Sequence, residues 1–230
     1  ALARVAEPDV GVVTNIHPVH LELLGTLQNI AEAKVELLTC LKPAGAAVVP
    51  VDCELLRSHA AALLCLTVRF GFGPGAEAAD VYGRALPEAG RRRTQSGSFG
   101  QVLRFHWPGG EAQVEVPFAS RHRSENAVAA VAACFAAGLP MEECVPGISE
   151  VRFTGSRGDV IGLPGLVVIN DTYNANPAAV QAALDELVEL ARERGGRAVA
   201  VLGDMLELGA DADRFHRDAG VYAREAGVSA

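Results

Sequence analysis

Asn170-Asp171-Thr172-Tyr173-Asn174-Ala175-Asn176-Pro177 follows an apolar run, Leu166-Val167-Val168-Ile169, and precedes a stretch from Ala178 to Arg194. In that stretch Val180, Leu184, Leu187, Val188 and Ala191 recur at helical spacing. The pattern predicts a buried strand, a turn and a helix, with an acid, a phenol and the amides of Asn170, Asn174 and Asn176 packed into the turn. In open α/β sheets that edge, outside the carboxyl ends of the strands, is where ligands bind. Pro177 suits the first turn of the helix, whose free N–H groups favour anions. The same residues also read as a plain capped turn with Asp or Asn as the helix start.

Outward from this turn, the chain reads as alternating strands and helices. Val10 to Thr14, Ala46 to Pro50 and Thr67 to Phe70 are short apolar strands, separated by predicted helices over Asn29 to Leu41 and Glu54 to Cys65. Ala1 to Ala6 reads as a helix tail. Between Gly71 and Gly110 the character changes. Gln101 to Phe105 and Gln113 to Val116 alternate as antiparallel hairpin strands do, with Pro108-Gly109-Gly110 as the turn. Arg91-Arg92-Arg93 reads as an exposed loop or strand edge, with a phosphate site as the other reading. Ser124 to Ala137 is an Ala-rich helix. A break near Thr154-Gly155-Ser156 precedes a fresh βαβα series, with a strand over Arg197 to Leu202 and a helix over Asp213 to Ala226. A domain boundary is expected at about residues 155 to 158.

Composition narrows the classes. At 230 residues, half of them apolar, the chain is long enough for one large or two small domains with a proper core. A net charge of -8 argues against a nucleic-acid-binding surface while leaving room for a local nucleotide site. The five cysteines are odd in number and show no CxxC pair, which suits buried thiols in a reducing compartment. No apolar run approaches the roughly 20 residues that span a bilayer. A soluble, cytoplasmic protein is the expectation.

Several residues carry chemistry. On helix 29–41, Ile30, Leu37, Leu38 and Leu41 form an apolar stripe, and Lys34 falls on the same face. A lysine there either snorkels or is held beside a site. Partial desolvation lowers its pKa and makes it a nucleophile, able to take up carbon dioxide as a metal-binding carbamate. His17-Pro18-Val19-His20 follows the first strand and suits either a magnesium or phosphate site or a hydrogen-bonded loop. Ser120 to Asn126 leads into the Ala-rich helix with Ser124 as N-cap, and its cationic run at the positive end of the dipole suits a bound anion or solvent. Asn126 offers the donor and acceptor that an adenine edge requires. Arg157, just past the boundary, is placed to reach a cleft. Leu202 to Gly209 closes the second strand of the later domain, with Asp204 and Glu207 able to cap or bind. Neither G-x-x-x-x-G-K-[ST] nor G-x-G-x-x-G occurs.

Taken in order, these segments resemble the Mur ligases of bacterial cell-wall synthesis. The resemblance is carried by Thr14-Asn15-Ile16, His20-Leu21-Glu22 with Gly25, Ala31 to Glu36, Arg121-His122 with Asn126, Arg157-Gly158, Asp171 to Pro177, Leu202 to Gly209, and His216-Arg217 with Gly220. The Asp171–Pro177 and Leu202–Gly209 runs are specific to the branch that adds a dipeptide. The implied fold is α/β. A partial central mononucleotide-binding ATPase domain, lacking its P-loop part, spans residues 1–155. A truncated Rossmann-like carboxy-terminal domain spans 156–230.

The implied activity is ATP-dependent ligation of D-alanyl-D-alanine to UDP-N-acetylmuramoyl-tripeptide through an acyl phosphate, by a monomer using ATP and Mg2+. Lys34, His20 and Arg157 match catalytic positions, and His20 and the carbamylated Lys34 match the metal ligands. Asn126, Arg157, Asp171, Tyr173, Asn174 and Asn176 match nucleotide-binding positions. His17 stands where the family usually has a small residue, and Arg123 where it commonly has Asn. Without the P-loop and sugar-peptide domain, the chain is expected to be inactive alone. The other readings are a non-catalytic nucleotide-binding or scaffolding module, or another Mur ligase or folylpolyglutamate synthase relative.

Overall fold

The computed structural model describes residues 2–19, 21–86, 92–93, 99–152 and 156–229. Its helices are α1 (Leu2–Ala6), α2 (Leu21–Leu24), α3 (Leu27–Thr39), α4 (Glu54–Ala61), α5 (Arg121–Ala136), α6 (Met141–Cys144), α7 (Pro177–Arg194) and α8 (Ala212–Ala226). The strands are β1 (Val10–Val12), β2 (Ala46–Pro50), β3 (Leu66–Phe72), β4 (Val81–Ala85), β5 (Arg92–Arg93), β6 (Phe99–Trp107), β7 (Gly110–Val116), β8 (Asp159–Leu163) and β9 (Leu166–Asn170). Contacts divide them into two compact units. The first gathers the described residues of 1–16, 31–94 and 99–151, the second those of 17–30 and 152–230.

The first unit is a mixed sheet in the order β1-β2-β3-β4-β6-β5, with β7 paired to β6. β1 to β4 run parallel, and β4 meets β6 antiparallel. Ala46, Ala47, Val48 and Val49 of β2 are all buried, as an interior strand of a parallel sheet must be. Val35 and Leu38 of α3 pack with Val13, Ala47, Val49 and Leu56 into one core cluster. Each fully buried Val or Leu contributes about 1.5–3 kcal/mol. Helix α5 presents Ala127, Val128, Ala129, Val131 and Ala132 as its buried face and packs on β1 to β4. Gly83 of β4 lets it come close, because a Cβ there would stand 2.5 Å from Val128 Cγ2. The β6–β7 hairpin turns at Pro108-Gly109, with Trp107 opposite Gly110. Arg92-Arg93 is a strand edge on β6, whereas Arg91 lies outside the described residues.

In the second unit β8 and β9 form an antiparallel pair, followed by α7 and α8. Val180, Leu184, Met205, Leu208 and Ala219 make its core. α7 stops at Gly195, whose left-handed φ of 61° closes the last turn.

Four expectations change. The run Leu166–Ile169 is a strand but not a buried one: Leu166 is 55% and Val168 36% exposed, because a two-stranded ribbon leaves one face open. Residues 197–202 form no strand among the described residues. Ala198 is buried while Val199 and Val201 are exposed, and the Ala198 carbonyl accepts from Ser229 N at 2.8 Å, but no described strand pairs with the segment to make it one. Ser124 is not the N-cap of α5; the helix starts one turn earlier, at Ser120. Helix α4 also ends at Ala61, short of Cys65, and Gly155 of the expected boundary lies outside the described residues.

Candidate functional site

In the first unit Lys34 lies at the carboxyl end of β1. β1 hands over through buried Val13 to Thr14-Asn15-Ile16, and Lys34 reaches this turn from the second turn of α3. Its Nζ donates to the Asn15 carbonyl at 2.8 Å. The stripe that carries Lys34 is the buried face of α3, so the amine is half-buried. Burial lowers its pKa below the ordinary lysine value, and the Cys53 sulfur nearby opposes that shift. Cys53 occupies the N-cap of α4 just past β2. The sequence reading did not single it out, although its position directly after a parallel strand was the available signal. His20 lies outside the described residues, and His17 is exposed.

The start of α5 forms a second group. Arg121 pairs with Glu125 at 2.8 Å one turn on, which accounts for part of the cationic run. Ser124 is wholly buried; its Oγ donates to the Ser120 carbonyl at 3.0 Å and accepts from Gln101 Nε2 at 2.9 Å. Ser120 Oγ is buried and has no hydrogen-bond partner among the described residues. Asn126 is exposed in the second turn. The helix start therefore holds one buried, unpartnered hydroxyl, and the exposed carboxamide of Asn126 follows in the next turn.

The second unit contains the turn after β9. Asn176 is the N-cap of α7, its Oδ1 accepting from Ala179 N at 3.0 Å, and Pro177 is the first helical residue. Asn174 Oδ1 accepts from Ala175 N at 2.9 Å. Thr172 Oγ1 donates to Asn170 Oδ1 at 2.9 Å. Asp171 is half-buried, and Tyr173 is exposed. Arg157 and Tyr173, sixteen positions apart in the chain, come together with the guanidinium carbon 3.6 Å from the ring centroid. Ser156, Asp159 and Asn170, to which no role was given, supply the hydrogen bonds around this pair. His216 closes the Leu202–Gly209 loop: its Nε2 accepts from Met205 N at 2.9 Å, which leaves Nδ1–H to donate to the Ala212 carbonyl at 2.8 Å.

Among the described residues no three His, Cys, Asp or Glu side chains cluster as a metal site, and no helix is long and apolar enough to cross a membrane.

The chain is 35% identical over 222 residues to UDP-N-acetylmuramoyl-tripeptide–D-alanyl-D-alanine ligase of Bacillus subtilis, a match covering 95% of the chain and 44% of that protein. A crystal structure of MurF from Acinetobacter baumannii superposes with a TM-score of 0.82 at 28% identity, covering 97% of this chain and 46% of that one. The MurF ligase of Thermotoga maritima, solved in complex with ADP, shares the fold with a TM-score of 0.77 at 22% identity, over 99% of this chain and 52% of that one. The chain thus spans about half the length of the relatives it matches. The model of the Mur ligase middle domain matches residues 1–134 and that of the Mur ligase glutamate ligase domain matches residues 156–229, so the chain belongs to the Mur ligase family.

Proposed function

We propose that this chain supplies the middle and carboxy-terminal parts of an ATP-dependent ligase that joins D-alanyl-D-alanine to UDP-N-acetylmuramoyl-tripeptide in peptidoglycan precursor synthesis. The observation that carries the reading is Lys34. Its amine is half-buried on an apolar helix face, at the carboxyl edge of a parallel sheet, with a lowered pKa. Such an amine has a larger neutral fraction than a solvated lysine and attacks carbon dioxide, releasing one proton and leaving a carbamate anion.

The domains divide at residues 155 and 156. Lys34, as carbamate, and His20 would hold Mg2+. Asn126 and the start of α5 receive the adenine, and Arg157, Asp171, Tyr173, Asn174 and Asn176 serve the nucleotide from the second domain. ATP would supply the phosphoryl group that activates the tripeptide carboxylate, and a bound Mg2+ would offset its charge. Lys34 and Arg157 orient charge at the transferring group, while the residues of the Asp171–Pro177 turn shield the acyl phosphate from water until the dipeptide amine attacks. The enzyme acts as a cytoplasmic monomer, without nucleic acid or membrane partners.

The test is an ATP-dependent ligation assay on the full-length protein and its Lys34→Ala variant. Dipeptide-dependent phosphate release is expected in the parent, lost in the variant, and partly restored by short carboxylic acids that replace the carbamate. A folded parent that releases no phosphate with both substrates and magnesium present sinks the reading.

A further inference from the structure

Tyr173 is 63% exposed, so its ring is not there to fill a core. One face of it is nevertheless covered by the Arg157 guanidinium, 3.6 Å from the ring centroid and well inside the roughly 6 Å at which a cation feels the ring quadrupole. The two residues are also tied through the backbone. Tyr173 N donates to the Ser156 carbonyl at 3.0 Å, immediately before Arg157. Ser156 has a φ of 57°, a left-handed conformation unfavourable for a residue with a Cβ. It is held there from two further sides: its N–H donates to Asp159 Oδ2 at 3.0 Å, and its Oγ accepts from Asn170 Nδ2 at 3.4 Å. These bonds join the segment before β8, both β strands of the ribbon and the turn after β9 into one knot, from which the Arg157 and Tyr173 side chains emerge stacked.

We infer that Tyr173 is a positioning residue whose ring face holds the Arg157 guanidinium in one plane, with the Ser156 knot setting the two side chains in register. Arginine is long and loses several rotatable bonds' freedom when it binds an anion. A flat guanidinium resting on a ring has its N–H groups pointing outward in the plane parallel to that ring, already oriented for a bidentate contact with phosphate or carboxylate oxygens. The hydroxyl of Tyr173 has no part in this arrangement. The inference rests on the reading of Arg157 as a nucleotide-directed residue only in its kinetic consequence; the stack itself does not depend on it.

The experiment has two arms on the full-length protein. In the first, the arginine side-chain resonances are recorded with nitrogen-15 labelling, and Arg157 is identified by the signal lost in Arg157→Lys. Its Nε–H is expected to be shifted upfield by the ring, to remain so in Tyr173→Phe, and to move to the solvated position in Tyr173→Leu. Asp159→Ala, which removes an anchor of the knot, is expected to give a partial shift. In the second, ligation kinetics are expected to show about a tenfold rise in the KM for ATP in Tyr173→Leu with the dipeptide KM little changed, and recovery of most of that loss in Tyr173→Phe. In an Arg157→Ala background, Tyr173→Leu is expected to add nothing.

An Arg157 signal indifferent to Tyr173→Leu overturns the inference, as does a Phe variant as impaired as the Leu variant. Full additivity of the two substitutions overturns it too. A parent enzyme without ligation activity defeats the proposed function instead, and the resonance arm still decides the stack.

Discussion

At the scale of single residues, the side chains that resemble a catalytic set are also solving local structural problems. Asn176 closes a helix start, and its replacement by Ala is expected to lower stability by about 1 kcal/mol in chemical denaturation, with Asp or Ser keeping most of it. Lys34 shows the reverse: burial disfavours its charged form. Its folded pKa lies below the unfolded one, so between the two the unfolded chain binds more protons and stability rises with pH. The penalty is fully present below the folded pKa and is relieved as pH rises through it. Unfolding free energies of the parent and of Lys34→Met should therefore converge or cross in the parent's favour on going from neutral to alkaline pH. A difference that stays constant with pH removes desolvation as the cause. Lys34 was legible in the sequence because a charge interrupted an apolar stripe. Ser156 was not, because a left-handed backbone leaves no mark on a serine.

At the scale of elements, close packing and cross-strand ties decide more than propensity. Gly83 of β4 faces Val128 of α5 where a methyl group would stand 2.5 Å from Val128 Cγ2. Gly83→Ala is expected to cost about 1–3 kcal/mol, and Val128→Ala in the same chain should recover part of it, a coupling that a double-mutant cycle measures. Asp80, just before β4, accepts from Arg69 N at 2.7 Å, from Nε at 3.2 Å and from Nη2 at 3.3 Å. Burial alone would push the Asp80 carboxyl up, but the bonds and charge of Arg69 outweigh it and hold the carboxyl below its ordinary value. The resulting stability is present above the ordinary carboxylate pKa and lost as pH falls through the lowered one. The advantage of the parent over Asp80→Asn should accordingly shrink in acid. Residues 197–202 show the limit of reading elements one at a time: an alternating apolar run becomes a strand only where another strand accepts its hydrogen bonds.

At the scale of the whole molecule, two cores are built separately, one around Val13, Leu38, Val49 and Leu56 and the other around Leu184, Met205 and Ala219. Leu184→Ala is expected to cost about 2–5 kcal/mol. Its effect should appear in the amide exchange of residues 156–229 before that of β1 to β4, and uniform loss of protection would contradict separate cores. By itself the sequence determined the α/β class, the strands β1 to β3 alternating with helices, the β6–β7 hairpin with its turn, and the Asp171–Pro177 turn entering a helix. Periodicity, turn residues and a proline at a helix start are local signals that each segment carries alone. Only the tertiary structure decided that Leu166–Ile169 is half exposed in a two-stranded ribbon, that Ser120 rather than Ser124 opens α5, and that Arg157 stacks on Tyr173. Those outcomes depend on which groups meet across distant stretches of chain, where pairing partners, buried hydroxyls and a ring face settle the energy, and no single segment contains that information.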